Sequence, residues 1–153
     1  AGYAFDQTAH GQSTGKTSNL PRFARTLAAV VDHLGGSVHA VVAHSLGAPA
    51  AAFAIRNGLK VDRLVMVAPP GHPRRFISGF WRSFKIPDAL GERMIRRIET
   101  TEGARLRDLD VAQVAEHLTL PAFIVHDRTD REVPFLEGEE WSWGLNDARL
   151  MAT

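Results

Sequence analysis

The chain has no cysteine, which excludes a disulfide framework and a thiolate metal site while leaving the redox compartment open. No apolar run approaches the roughly 20 residues of a membrane-spanning helix. The first residues, Ala1-Gly2-Tyr3-Ala4-Phe5, lack the basic and long apolar regions of a secretory signal, so a soluble, cytoplasmic protein is the expectation. Neither sign of charge dominates: 18 Lys and Arg stand against 17 Asp and Glu, a net charge of +1. Nothing global therefore draws the chain toward nucleic acid or an anionic membrane, and neither is expected as a partner. His-x-His and His-Glu-x-x-His spacings are missing, so neither a metal nor another cofactor is expected. Internal repeats are absent, and the only polar low-complexity stretch is the loop at 7–19.

What is present fits one domain over residues 1–153, with 44% apolar residues to build a core. Three short runs rich in Val, Ile and Leu, at 38–43, 61–68 and 122–125, read as strands buried on both faces. Between the first two lies 46–57, rich in alanine and stopped by Asn57-Gly58, which predicts a helix. Leu20, Phe23, Leu27, Val30, Val31 and Leu34 repeat at helical spacing, with Asn19 or Ser18 as N-cap and Gly35-Gly36 as the break. Alternating strands and helices predict an α/β fold with a mostly parallel sheet and crossover helices.

Residues 69–118 interrupt that alternation with helical patterns in succession, which predicts a small inserted helical cap at about 72–118. Phe76, Phe80 and Phe84 share one helical face, with Ile77 and Trp81 beside them. Pro87-Asp88 opens a second pattern carrying Leu90, Met94, Ile95 and Ile98, and Asp110 with Gln113 resembles a capping box for a third. Beyond the strand at 122–125, a helix at 134–143 and a short strand at 148–152 complete the reading.

The segment Val41-Val42-Ala43-His44-Ser45-Leu46-Gly47 carries the chemistry. A buried run ending in x-His-Ser-x-Gly before a helix reads as a nucleophile elbow, in which small neighbours let the chain turn sharply enough to hold the serine Oγ clear of the sheet. Ser45 is then the nucleophile, and the Leu46 N–H at the helix start is an oxyanion donor. The plainer reading is a serine in an ordinary strand-to-helix turn. Gly11-Gln12-Ser13-Thr14-Gly15-Lys16-Thr17 looks like a phosphate-binding loop, but His10 stands where the motif needs glycine and the next helix starts only near Leu20. A nucleotide-binding protein is thus a minor alternative.

These pieces resemble the α/β-hydrolase superfamily over nearly the whole chain. The resemblance runs from Ala9-His10-Gly11-Gln12-Ser13, through the elbow, to His126-Asp127-Arg128-Thr129-Asp130-Arg131-Glu132-Val133-Pro134. It implies a partial domain holding strands four to eight, a serine hydrolase cleaving small-molecule carboxylic esters through an acyl-enzyme, and Asp130 as the acid that orients a histidine. Asp127 is left a loop role. Ala43 departs from the family's usual glycine. The resemblance also implies a fourth strand at 3–6, a third strand and its oxyanion donor outside the chain, and a triad histidine past Thr153. Residues 1–153 alone are then expected to be inactive, and their exposed sheet edge implies self-association. Of the seven histidines, only His126 stands as a substitute base, with His10 and His44 packing in turns. Phe76, Phe80, Trp81 and Phe84 are candidates for an apolar substrate pocket, against the simpler role of core, and Arg74, Arg75 and Arg82 read as a solvated face. A non-catalytic protein of the same fold that holds a small ligand is the main alternative.

Overall fold

The computed structural model describes residues 1–153. Its elements run α1 (Leu20–His33), β1 (Ser37–His44), α2 (Gly47–Arg56), β2 (Lys60–Val67), α3 (Pro73–Ser83), α4 (Asp88–Glu102), α5 (Val111–Val114), β3 (Ala122–His126), α6 (Phe135–Gly144) and β4 (Ala148–Ala152), with short 3-10 turns flanking α5. The four strands form one sheet in the order β1-β2-β3-β4. Every neighbouring pair is parallel, so the helices between strands are crossovers, as the α/β pattern requires.

Alternate strand residues turn to opposite faces of a sheet, and here only one face is covered. Val41, Ala43, Leu64, Met66, Ala122 and Ile124 are buried against residues of α2, α5 and α6. The intervening Val42, Phe123 and Met151 stay exposed. The expectation of strands buried on both faces is corrected accordingly: no helix of this chain packs on the second face. A second correction concerns 3–6, which forms no strand and lies exposed, leaving β1 as an open edge. Asp6 instead organises a turn, accepting from the Gln12 N–H at 2.8 Å, while its carbonyl accepts from Ser13 Oγ at 2.7 Å. That turn also removes the phosphate-loop reading, because no strand precedes Gly11 and no helix starts before Leu20.

The alanines of α2 have a packing reason. Ala48, Ala51 and Ala52 belong to the core against the sheet, whereas Ala50 and Ala54 belong to a second cluster with Leu20 and Ala24 of α1 and with Trp81, Ile95, Leu106 and Leu109. A helix gripped from both sides needs short side chains to let its neighbours approach. Asn19 caps α1, its Oδ1 accepting from the Arg22 N–H at 3.0 Å. Its amide donates to Glu102 at 2.8 Å, and Arg22 and Arg25 pair with the same carboxylate. Burial works against that charge, but the Asn19 and arginine contacts outweigh it and hold the Glu102 carboxyl below its usual range. The end of α4 is thereby tied to the start of α1.

Within the helical excursion between β2 and β3, Trp81 of α3 packs against Gly91 of α4, where an added Cβ would lie 2.4–2.7 Å from atoms of the indole ring. Helix propensity favours Gly91→Ala by about 1 kcal/mol, but overpacking of a rigid ring costs about 1–3 kcal/mol. A lower melting temperature is therefore expected for that variant. Gly79→Ala in α3, where nothing lies within 4 Å of the new methyl, is expected to raise it. No helix is long and apolar enough to cross a membrane.

Candidate active site

Open parallel sheets place ligands beyond the carboxyl ends of their strands, and the chemistry-bearing residues gather there. β1 ends at His44, and Ser45 follows with φ +49° before α2 begins at Gly47. A non-glycine residue in this left-handed region stores about 1–3 kcal/mol and persists only where its surroundings hold it. The hold is visible: the Ser45 N–H donates to the Val67 carbonyl of β2 at 2.9 Å, and the Ser45 carbonyl accepts from the Ala48 N–H at 2.9 Å. Ala68, one strand over, has φ +46° and donates to the Val125 carbonyl in the same way. The Leu46 N–H donates to no group in the chain. Ala43, the departure from the family's usual glycine, is buried in the main core cluster.

Ser45 and Leu46 open into a cleft of about 770 Å³, within the size range of small-molecule sites. One wall comes from α3, with Arg75, Phe76, Ile77, Gly79, Phe80 and Ser83. The other comes from the loop after β3 and from α6, with Arg131, Glu132, Pro134 and Glu137. Phe76 and Phe80 thus line the same cleft as the serine. Trp81 and Phe84 do not, which corrects two of the four pocket candidates. Trp81 is buried in the cluster with Ala50, Ala54 and Ile95, its indole N–H donating to Asp88 at 2.9 Å. Phe84 lies past the end of α3, exposed, its ring 4.7 Å from that of Phe80. Consecutive residues of a helix diverge by about 100°, which turns Trp81 away from Phe80, and α3 ends at Ser83 before Phe84 is reached.

Asp130 follows β3, but the cleft is lined by its neighbours Arg131 and Glu132. Its Oδ1 accepts from the Glu132 and Val133 N–H groups at 2.8 and 3.0 Å. Its Oδ2 lies 3.7 Å from His126 Nε2, beyond hydrogen-bond reach. Asp127 makes a local turn, accepting from the Thr129 N–H at 2.7 Å and hydroxyl at 2.9 Å. Those two bonds, the backbone one first, hold its carboxyl below the usual range.

No histidine lines the cleft. His126 is 1% exposed and its Nε2–H donates to the Val133 carbonyl at 3.0 Å. Its Nδ1 has no partner and abuts Gly138. It is a packed structural group, which removes it as a substitute base. His10 sits edge-on to Phe23 with Nδ1 3.0 Å from the Thr8 carbonyl, and His44 is exposed at the end of β1.

Glu137 was not singled out from the sequence. It is buried on α6, and its Oε2 accepts from the Gly71 N–H at 2.8 Å. Trp141, one turn on, donates to the Pro70 carbonyl at 3.2 Å, and the Val111 N–H donates to the Gly71 carbonyl at 2.8 Å. Together these bonds clamp the root of the helical excursion to α6. The i, i+4 spacing of Glu137 and Trp141 was the available signal, but a carboxylate on an apolar helical face is easily passed over.

Asp110 is the N-cap of α5, but its side chain makes no cap bond, contrary to the capping box expected with Gln113. The Gln113 N–H, which a capping carboxylate would take, donates to the Asp110 main-chain carbonyl at 2.8 Å. Asp110 Oδ1 is left buried and unpartnered. Burial raises its pKa, against the lowering influence of His72 and Arg74. A raised carboxyl binds its proton more tightly folded than unfolded, so its contribution to stability grows as pH falls through the acid range and is unfavourable at neutral pH. Asp110→Asn is expected to raise the melting temperature at pH 7 and to leave it nearly unchanged near pH 3, as read by calorimetry across that range.

The strand order, the crossovers and a cleft at the carboxyl ends of the strands define an α/β fold of the hydrolase kind. The profile of the Alpha/beta hydrolase family matches residues 1–152, and the chain belongs to that family. Among solved structures it is similar to an alpha/beta hydrolase from Sphaerobacter thermophilus, at 18% identity and TM-score 0.62, over 96% of this chain and 72% of that one. It is similar to an alpha/beta fold family hydrolase from Bacillus anthracis str. Sterne, at 14% identity and TM-score 0.67, over 96% and 72%. An esterase from Exiguobacterium antarcticum matches at 14% identity and TM-score 0.70, over 96% and 70%. At these identities the likeness is one of fold. No curated protein sequence matches the chain.

Proposed function

We propose that the chain carries the nucleophile and acid of a serine hydrolase acting on small, uncharged or weakly polar carboxylic esters. The observation that carries this reading is Ser45. It sits at φ +49° between a buried strand and a helix, opens into the cleft, and has the unpaired Leu46 N–H beside it. In this mechanism Ser45 Oγ attacks the acyl carbonyl carbon and passes its proton to a base. The Leu46 N–H donates to the oxyanion of the tetrahedral intermediate. Collapse expels the alcohol, which takes the proton from the base; water then gives its proton to the base and attacks the acyl carbon, and the second collapse releases the acid and Ser45 Oγ, which recovers the proton. Phe76, Ile77 and Phe80 supply the apolar wall that suits such an acyl group.

The base belongs beside Asp130. Thr153 is held against the acid loop, its carbonyl accepting from the Arg128 N–H and its N–H donating to the His126 carbonyl, both at 3.0 Å. The family resemblance puts the triad histidine a few residues past β4, on the side of the acid loop against which Thr153 is held. The experiment is fluorophosphonate labelling of the protein with its natural ends and of residues 1–153, with the modified residue located by mass spectrometry. Labelling of Ser45 in the natural protein is expected, with little or none in the 153-residue chain. The second reading is a non-catalytic protein of the same fold that holds a small ligand in this cleft, and labelling in neither chain supports it.

A further inference from the structure

The balanced net charge hides a segregation. Residues 73–97, which form α3, the turn after it and most of α4, hold seven of the 18 Lys and Arg but two of the 17 Asp and Glu. Both carboxylates are already engaged: Asp88 by Trp81 and Arg82, and Glu92 by Arg74 at 2.5 Å. Arg75, Lys85, Arg93, Arg96 and Arg97 are exposed and form no ion pair.

The same stretch exposes large apolar side chains: Phe80 at 60%, Phe84 at 64%, Leu90 at 48% and Met94 at 51%. On α4 the order Leu90, Arg93, Met94, Arg97 follows the i, i+3, i+4, i+7 spacing of a single stripe. Leu90 and Met94 share a shallow hollow with Arg93, Arg96 and Arg97. A face that is merely solvated has no reason to expose two aromatic rings in contact, and a polyanion site has no use for the aliphatic Leu90 and Met94 beside them. Unpaired cations around apolar anchors are the composition of a surface that seats on a negatively charged lipid bilayer, with rings below the headgroups and arginines among the phosphates.

We infer that α3 and α4 dock the protein on anionic lipid membranes. Phe80 belongs both to this surface and to the Ser45 cleft, so docking brings the cleft to the bilayer, where amphiphilic esters reside. That last step rests on the proposed hydrolase function; the docking itself does not.

The test is sedimentation of the natural-ended protein with phosphatidylcholine vesicles and with vesicles also containing phosphatidylserine. Binding to the phosphatidylserine vesicles is expected, with little to phosphatidylcholine alone. The variant Arg93→Glu/Arg96→Glu/Arg97→Glu is expected to bind at least about tenfold more weakly, because each basic residue near an anionic surface adds severalfold to partitioning. Phe84→Ser/Leu90→Ser/Met94→Ser is expected to lose binding too. Both variants are checked by circular dichroism and melting, and a second set, Arg93→Gln/Arg96→Gln/Arg97→Gln and Phe84→Ala, replaces any that fails to fold. No binding, equal binding to both vesicles, or undiminished binding by the apolar variant overturns the proposal. The last outcome, with competition by a DNA oligonucleotide, assigns the patch to polyanions instead. Ser45 labelling is measured separately without vesicles, so its failure beside intact sedimentation removes the hydrolase reading and leaves docking in place.

Discussion

Ser45→Ala, made in the protein with its natural ends, is expected to abolish covalent capture by a fluorophosphonate and to lower ester turnover by about 10⁴-fold or more, the usual consequence of deleting a triad nucleophile. Loss of that size with intact circular dichroism separates a nucleophile from a turn residue. Labelling that persists in the alanine variant, or activity within tenfold of the parent, would sink the assignment. Ser45→Gly adds a second readout. Glycine occupies φ +49° without the Cβ penalty, so this variant is expected to be inactive yet more stable by about 0.5–1 kcal/mol. A serine kept only for its turn gives no reason to tolerate that strain.

Trp141→Ala is the substitution with the largest expected effect on stability. Trp141 is fully buried in the main core cluster, and its indole N–H donates to the Pro70 carbonyl at 3.2 Å. Removal empties a large cavity and orphans a buried carbonyl, at a cost of about 3–5 kcal/mol. For a chain of this length that is a fall in melting temperature of about 10 °C or more. Trp141→Phe keeps most of the volume and isolates the hydrogen bond, with an expected cost nearer 1–2 kcal/mol. A loss below about 1 kcal/mol for the alanine variant would mean that α6 is not the clamp that holds the excursion between β2 and β3.

The sequence by itself determined the elements and their order. Runs of Val, Ile and Leu broken by Asn57-Gly58 and Gly35-Gly36 placed β1, β2, β3 and the helices α1 and α2 to within a residue or two, because local propensity and hydrophobic period act over a few residues. It also marked Ser45, because a small-residue turn between a buried strand and a helix is a local pattern. The tertiary structure alone decided what depends on packing at a distance. It left the second face of the sheet open and kept 3–6 out of it, since pairing needs a partner strand at the right edge. It sent Trp81 into the core and Phe84 to solvent, because helical rotation relative to a neighbour is not written in the periodicity of one helix. It brought Glu137 to Gly71, 66 residues apart, and Trp141 to Pro70, 71 residues apart. Such juxtapositions are set by the global fold and carry no local signature.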